Sequence, residues 1–187
     1  RLPQCRAHDS PEKSPAIGRR MIDGKIKNCR PLIRRHLPDD QKTGLSELAE
    51  LAKRAELAAS AETLLGIEGN AAKIYFGGFS KILKGGDLFS FENRNRRPPT
   101  DPVNAILSFV YALLVKDLTI ILQAVGFDPM LGLFHRPRYG RPSLALDLAE
   151  EFRPLIGDST VLALINNGEV QAKDFIHRVG SISLTDA

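Results

Sequence analysis

The stretch that most constrains this chain is residues 100–126, TDPVNAILSFVYALLVKDLTIILQAVG. Thr100 or Asp101 offers a side-chain cap, Pro102 falls in the first turn, and apolar residues continue to Val125 before Gly126 stops the run. These are the start and stop signals of a long helix, and its apolar content predicts that it is the central core helix. Within it the longest apolar run, Ala105 to Val115, is interrupted by Ser108 and followed by Lys116 and Asp117. So short and charged a run argues for a buried helix of a soluble protein rather than a bilayer span. The same period recurs elsewhere. Ile17, Met21, Ile26 and Leu32 mark one side of a helix from Ser14 to about Arg35. Leu45, Leu48, Leu51 and Leu57 mark another over 43–59, and Pro154 to Asn166 reads as a third. Only Phe175 to Leu184, with Gly180 at its turn, suggests extended structure. The expected class is all-α with at most a short β-hairpin, in a single domain over 1–187. Aromatics at 6% and the absence of Trp agree with packed helices.

Residues 1–13 are polar, carry Pro3 and Pro11, and show no apolar period, so a loop is expected there. The chain opens on Arg1 and closes at Ala187, the ends expected of a fragment of a larger protein. Cys5 and Cys29 have neither metal-ligand spacing nor the number for a disulfide scaffold, which points to a reducing cytoplasm. A net charge of +4 says little about partners, but its distribution says more. Arg19, Arg20, Lys25, Lys27, Arg30, Arg34 and Arg35 crowd one segment with Asp23 as the lone acid, and Arg94, Arg96 and Arg97 form a second cluster. Such stripes suit a phosphate backbone or a solvated basic face. No phosphate-binding GxxxxGK[ST] loop, GxGxxG, HExxH or nucleophile elbow is present, which leaves nucleotide hydrolase, dehydrogenase and zincin chemistry without support.

Residues 135–153, HRPRYGRPSLALDLAEEFR, gather chemistry. A helix starting after Pro142 sets Asp147, Glu150 and Glu151 near one another, and their repulsion calls for a cation. A divalent metal would answer it, and so would Arg136, Arg138, Arg141 or Arg153. Acids at helical spacing are most often a solvated face with Arg partners. His135 sits on a loop of Gly, Pro and Arg, from which an imidazole can be aimed at the acids. Upstream, residues 61–83 have helical spacing broken by Gly66, Gly69 and the Gly77-Gly78 pair. Glu68, between Ile67 and Gly69, must be exposed by a kink, paired with a cation, or bound to a metal. Asn104 and Tyr111 read as a satisfied amide and a packed ring.

Four ordered blocks, GIEGNAAKIYF, NRRPPTDPVNAILSFVYALL, GLFHRPRYGRPSLALDLAEEFRPL and SLTDA, together resemble the catalytic domain of the CRISPR-associated endonuclease and integrase that inserts new spacers, the Cas-one family. The likeness runs from roughly Gln4 to the end. It implies an all-α catalytic domain without the family's N-terminal β-domain and without its C-terminal tail. It implies that Glu68, His135 and Glu150 bind Mg²⁺ or Mn²⁺, with Asp147 beside the metal and also required. It implies DNA endonuclease and integrase activity, in which the 3′-hydroxyl of a prespacer attacks a phosphodiester of the CRISPR repeat. Arg94, Arg96, Arg97, Arg136, Arg138 and Arg141 would then hold DNA phosphates. The implied partners are DNA, a second copy in a homodimer, a small ferredoxin-like adaptation protein and, in some systems, an iron–sulfur nuclease that trims prespacers; no membrane is implied. The competing expectation is a non-catalytic helical DNA-binding or scaffolding module, which divalent-ion dependence would separate from an enzyme.

Overall fold

The computed structural model describes residues 1–42 and 44–185; the expected helix start at Thr43 and the last two residues of the SLTDA block lie outside that range. Helix α2 (Lys13–His36) is the element on which the others assemble. Its buried side carries Met21, Ile22, Ile26, Cys29, Leu32 and Ile33, and it packs on α3 (Gly44–Glu56) and α4 (Ala61–Ile82). Ile22 and Ile26 interlock with Leu48, Leu51, Ala55, Leu64 and Ile67. Further along, Cys29, Leu32 and Ile33 join a second cluster with Tyr75, Phe79, Val103, Ile106 and Val161. Fully burying a side chain such as Phe79 stabilises the fold by about 1.5–3 kcal/mol.

Helix α4 is continuous, contrary to the expectation that its glycines break it. Ser60 caps it by accepting from the Thr63 N–H at 3.1 Å. Tertiary packing on α2 and α3 outweighs the roughly 1 kcal/mol that each glycine costs a helix. Residues 1–8 are also not a loop: Leu2–His8 forms α1. Its Gln4 side chain is buried, donating to the carbonyls of Asp128 and Leu131 and accepting from the Asp128 N–H. A polar helix that docks through amide hydrogen bonds leaves no apolar period to read. In α3 the last expected inward residue fails: the helix ends at Glu56, so Leu57 lies beyond it and is exposed.

Helix α5 (Pro102–Ala124) begins as expected, with Asp101 accepting from the Asn104 N–H at 2.8 Å. It is not buried along its length. Val103, Ile106, Leu107 and Tyr111 are buried, whereas Phe109, Leu113, Ile120 and Ile121 are exposed. By length and composition alone α5 would pass as a membrane span, at mean hydropathy 2.1 with 28% of that stretch buried. Apolarity all round a helix does not tell which faces its neighbours cover. Helix α6 (Ser143–Phe152) is too short to cover more than part of the second half, where Leu122 meets Leu144 and Ala145.

After α6 the helix does not restart at Pro154 but runs on through a π-helical stretch, Arg153–Asp158, into α7 (Ser159–Asn166). Pro154 has no N–H for the carbonyl four residues back, and the widened turn absorbs that loss. The chain closes with the expected hairpin, β1 (Phe175–Arg178) paired antiparallel with β2 (Ser181–Leu184) and turned at Gly180 with φ 73°. The all-α class with one short hairpin is therefore what the sequence led us to expect.

Candidate active site

Helices α2, α4, α5, α6 and the π-helical stretch enclose a cavity of about 320 Å³ lined by Lys25, Glu68, Tyr111, His135, Glu150 and Arg153 among others. Each reaches it for a local reason. Glu68 is one turn into α4 beyond the buried Leu64 and remains partly exposed. Glu150 lies on the inward face of α6 beside buried Ala149 and is itself buried. Its Oε1 accepts from Arg153 Nη1 at 2.5 Å. Its Oε2 lies 2.6 Å from Lys25 Nζ, so the ammonium is the partner of this buried oxygen. The same Lys25 Nζ lies 2.5 Å from Glu68 Oε1. Burial alone would raise the Glu150 pKa, but Lys25 and Arg153 together hold it down at about 2. Conversely, burial would lower the Lys25 pKa, and Glu150 and Glu68 more than offset it.

His135 comes from the loop between α5 and α6, and Asp147 folds that loop. Fully buried, Asp147 accepts from the backbone N–H groups of Leu133 (2.6 Å), Phe134 (3.0 Å) and His135 (2.8 Å), and meets His135 Nδ1 at 2.7 Å. A carboxylate that already accepts three N–H bonds accepts the fourth as well, which puts a proton on His135 Nδ1. Asp147 thus orients the imidazole rather than facing the cavity. Gly132 makes the turn possible, because a Cβ there would meet the His135 carbonyl at 2.5 Å and Ser143 Cβ at 2.7 Å.

Behind Glu150, Asp158 accepts from Tyr75 Oη at 2.7 Å and Tyr111 Oη at 2.5 Å. Burial raises its pKa to about 6 against the lowering pull of those hydroxyls and of Arg153. One residue inserted by the π turn rotates Asp158 from about 80° away from the face of Glu150 to about 20°. Arg153 lies over the Tyr111 ring, 4.8 Å from its centroid. Tyr111 is therefore packed, as expected, but at the wall of the cavity. Asn104 is satisfied by Asp101, Arg94 and the Asn93 carbonyl.

The structure brings Glu68, His135 and Glu150 to one cavity. Among the described residues no three acid, imidazole or thiol groups are already drawn to metal-bonding spacing, and Lys25 stands between the two carboxylates. Glu151 packs its carboxyl on Gly24 of α2, away from the cavity. Arg96 lines the cavity and is exposed, as are Arg97 beside it and Arg136 and Arg138 just after His135. Arg141 is half-buried, its N–H donating to the Arg138 carbonyl at 3.0 Å. Arg94 turns inward instead, donating to Asn104 Oδ1 at 2.6 Å and Ser108 Oγ at 3.0 Å, and burial lowers its pKa to about 10. The basic stripe of α2 is divided as well. Arg20, Arg34 and Arg35 are exposed, Lys27 pairs with Asp23 and Glu56, and Lys25 is drawn inside. Lys25, Tyr75 and Asp158 escape a reading of the sequence at this site; their helical positions next to core residues are the available signal.

Two carboxylates sharing one ammonium, an imidazole held by a buried aspartate and an exposed arginine line one cavity of an all-helical domain. The sequence model of the CRISPR associated protein Cas1 matches residues 1–187, and the chain belongs to that family. A Cas4 exonuclease/Cas1 endonuclease fusion of Geobacter sulfurreducens is 51% identical over 187 residues, covering 95% of this chain and 34% of the fusion. The solved Cas1 protein of Thermotoga maritima superposes with TM-score 0.88 at 30% identity, covering 99% of this chain and 58% of that one. A casposase bound to its integration product superposes with TM-score 0.84 at 28% identity, over 98% of this chain and 52% of that one. The chain thus spans about a third of the fusion and little more than half of these two solved relatives.

Proposed function

We propose that residues 1–187 form one helical catalytic unit of a metal-dependent DNA endonuclease and integrase acting in CRISPR adaptation. The observation that carries this reading is the cavity where Glu68 and Glu150 already share one cation, Lys25, with His135 on the same wall. Two carboxylates and a neutral imidazole suit Mg²⁺ or Mn²⁺ and leave positions open for substrate oxygens. Glu68 Oε1 and Glu150 Oε2 converge on that one ammonium, and a metal would take the same two oxygens. When bound, such an ion supplies Lewis acidity at a phosphate oxygen. Glu68, Glu150 and His135 would hold it. Asp147 keeps His135 aimed, Arg153 keeps Glu150 fixed, and Arg96 with Arg97, Arg136 and Arg138 grips the DNA backbone without reading bases. In strand transfer the prespacer 3′-oxygen bonds to a repeat phosphorus, the old P–O3′ bond breaks, and the departing oxygen takes up a proton. One phosphodiester replaces another, so no outside energy source is required. Water in place of the hydroxyl gives nuclease action.

The partners that fit this reading are prespacer and repeat DNA, a second copy of the protein, a small ferredoxin-like adaptation protein and an iron–sulfur prespacer-trimming nuclease, in a cytoplasmic setting without membrane. The relative in which a Cas4 exonuclease is fused to a Cas1 endonuclease supports pairing with an exonuclease. The test is strand transfer and DNA binding by Glu68→Ala, His135→Ala and Glu150→Ala variants of the full protein with added Mn²⁺. Each should lose joining by at least about 100-fold while retaining DNA affinity, with Glu151→Ala as an active control. Joining that persists without any divalent ion, or survives all three substitutions, would overturn the reading.

A further inference from the structure

We propose that Lys25 is a further working residue of this centre: its ammonium and a divalent ion are alternative occupants of the Glu68/Glu150 pair, and the ammonium that the ion displaces then grips the substrate phosphate. The inference rests on the metal-centre reading above and deepens it.

The contacts make the two occupants exclusive. Lys25 Nζ lies 2.5 Å from Glu68 Oε1 and 2.6 Å from Glu150 Oε2, so it stands on the line along which those oxygens would converge on a metal. Glu150 Oε1 is no substitute, because Arg153 already holds it at 2.5 Å. Of the two cations Lys25 is the one able to leave. Arg153 is stacked over the Tyr111 ring and donates through Nη1 to Glu150, whereas Lys25 is a point charge on a flexible four-carbon stem. It enters from α2, and its side chain remains 14% exposed to the cavity.

Charge then directs where the ammonium goes. Lys25 and Arg153 between them neutralise Glu68 and Glu150. A divalent ion added to that set brings two more positive charges, of which the buried Asp158, held by the neutral hydroxyls of Tyr75 and Tyr111, can offset only one. Arg96 on the same wall increases the excess. A phosphodiester entering the cavity supplies the missing negative charge, and Lys25 is within a side-chain swing of it.

This dual role predicts effects of opposite sign, which a merely structural lysine would not give. Mn²⁺ affinity, read from the free-ion electron paramagnetic resonance signal, and the strand-transfer rate at saturating Mn²⁺ are measured for the full protein, Lys25→Met, Lys25→Arg and Glu68→Gln. Lys25→Met should bind Mn²⁺ about tenfold tighter and yet join DNA about tenfold more slowly or worse. Lys25→Arg, which keeps the charge, should bind Mn²⁺ no tighter than wild type and recover part of the rate. Lys25→Gln carries the same test if circular dichroism shows that the Met variant does not fold. Unchanged or weaker Mn²⁺ binding by the neutral variant, or an undiminished rate, overturns the role of Lys25 while sensitivity to Glu68→Gln keeps the metal centre standing. Mn²⁺ binding that ignores Glu68→Gln would sink the centre itself and this inference with it.

Discussion

Asp147 and Asp158 show how two buried carboxylates on one helical run do different work. Asp147 accepts three loop N–H groups and one imidazole N–H, so it builds the loop and fixes the His135 tautomer. Asp147→Asn replaces one acceptor oxygen by a donor facing those groups, and should cut strand transfer by about 10–100-fold, the cost typical of removing such a support. A crystal structure of that variant showing an unmoved His135 ring would contradict the assignment. Asp158 carries a burial penalty instead. Its folded pKa of about 6 lies above the ordinary 3.8, so between those values the native state binds more protons than the unfolded one. The sign follows: stability contributed by this group falls as pH rises from about 4 to about 6, by roughly 3 kcal/mol at most. Asp158→Asn cannot titrate, so chemical denaturation across pH 4 to 7 should show wild type losing ground relative to the variant as pH rises. A difference that stayed flat or ran the other way would refute the assignment.

Elements in this fold are legible where they bury one face and obscure where they dock through polar groups. Helices α2 and α3 follow their apolar period, and the Asp101 cap, Pro102 and Gly126 mark the ends of α5. Helix α1 is invisible in the sequence, because Gln4 docks by hydrogen bonds to Asp128 and Leu131 rather than by an apolar stripe. The continuity of α4 is obscured by glycines whose Cβ positions, at Gly66, Gly69 and Gly77, face open space; they neither break the helix nor pack closely. The resemblance supplied Glu68, His135 and Glu150, and local spacing alone left their cation undecided. Lys25 is hidden for a further reason: a lysine within a basic stripe gives no sign that its register turns it inward. The loop before α6 is the element most exposed to small change. Gly132→Ala would press a methyl against the His135 carbonyl and Ser143, so activity should fall at least about tenfold while helical content is kept. Phe79→Ala, at a fully buried α4 position in the cluster shared with α2 and α5, should instead lower stability by about 3–5 kcal/mol. Denaturant unfolding and circular dichroism separate the two outcomes.

Across the whole molecule, positive charge is arranged by what packing has left free, not by its density along the chain. A net charge of +4 is modest, and several of the basic residues that crowd the sequence are engaged internally: Lys25 with two carboxylates, Lys27 with Asp23 and Glu56, Arg94 with Asn104 and Ser108. Arg96, Arg97, Arg136 and Arg138 remain exposed on the two loops that follow α4 and α5, and Arg96 reaches the cavity itself. DNA affinity should therefore follow these loops rather than the α2 stripe as a whole. Neutralising a phosphate releases counterions, so the dependence of log affinity on log salt should shallow by about 0.9 for every phosphate no longer gripped. Substituting Arg96 and Arg97 together by Ala should weaken binding at low salt and reduce that slope by nearly 2, with little change in thermal stability. Arg94→Ala should do the reverse. It removes the guanidinium bonds to Asn104 and Ser108 that help tie the loop down, so melting temperature should drop while the salt slope of the folded protein holds. Fluorescence anisotropy across a salt series, beside thermal unfolding of the same variants, decides the matter: an Arg94 variant whose salt dependence fell as far as that of the Arg96 and Arg97 pair would mean that sequence clustering, rather than exposure, had placed the DNA.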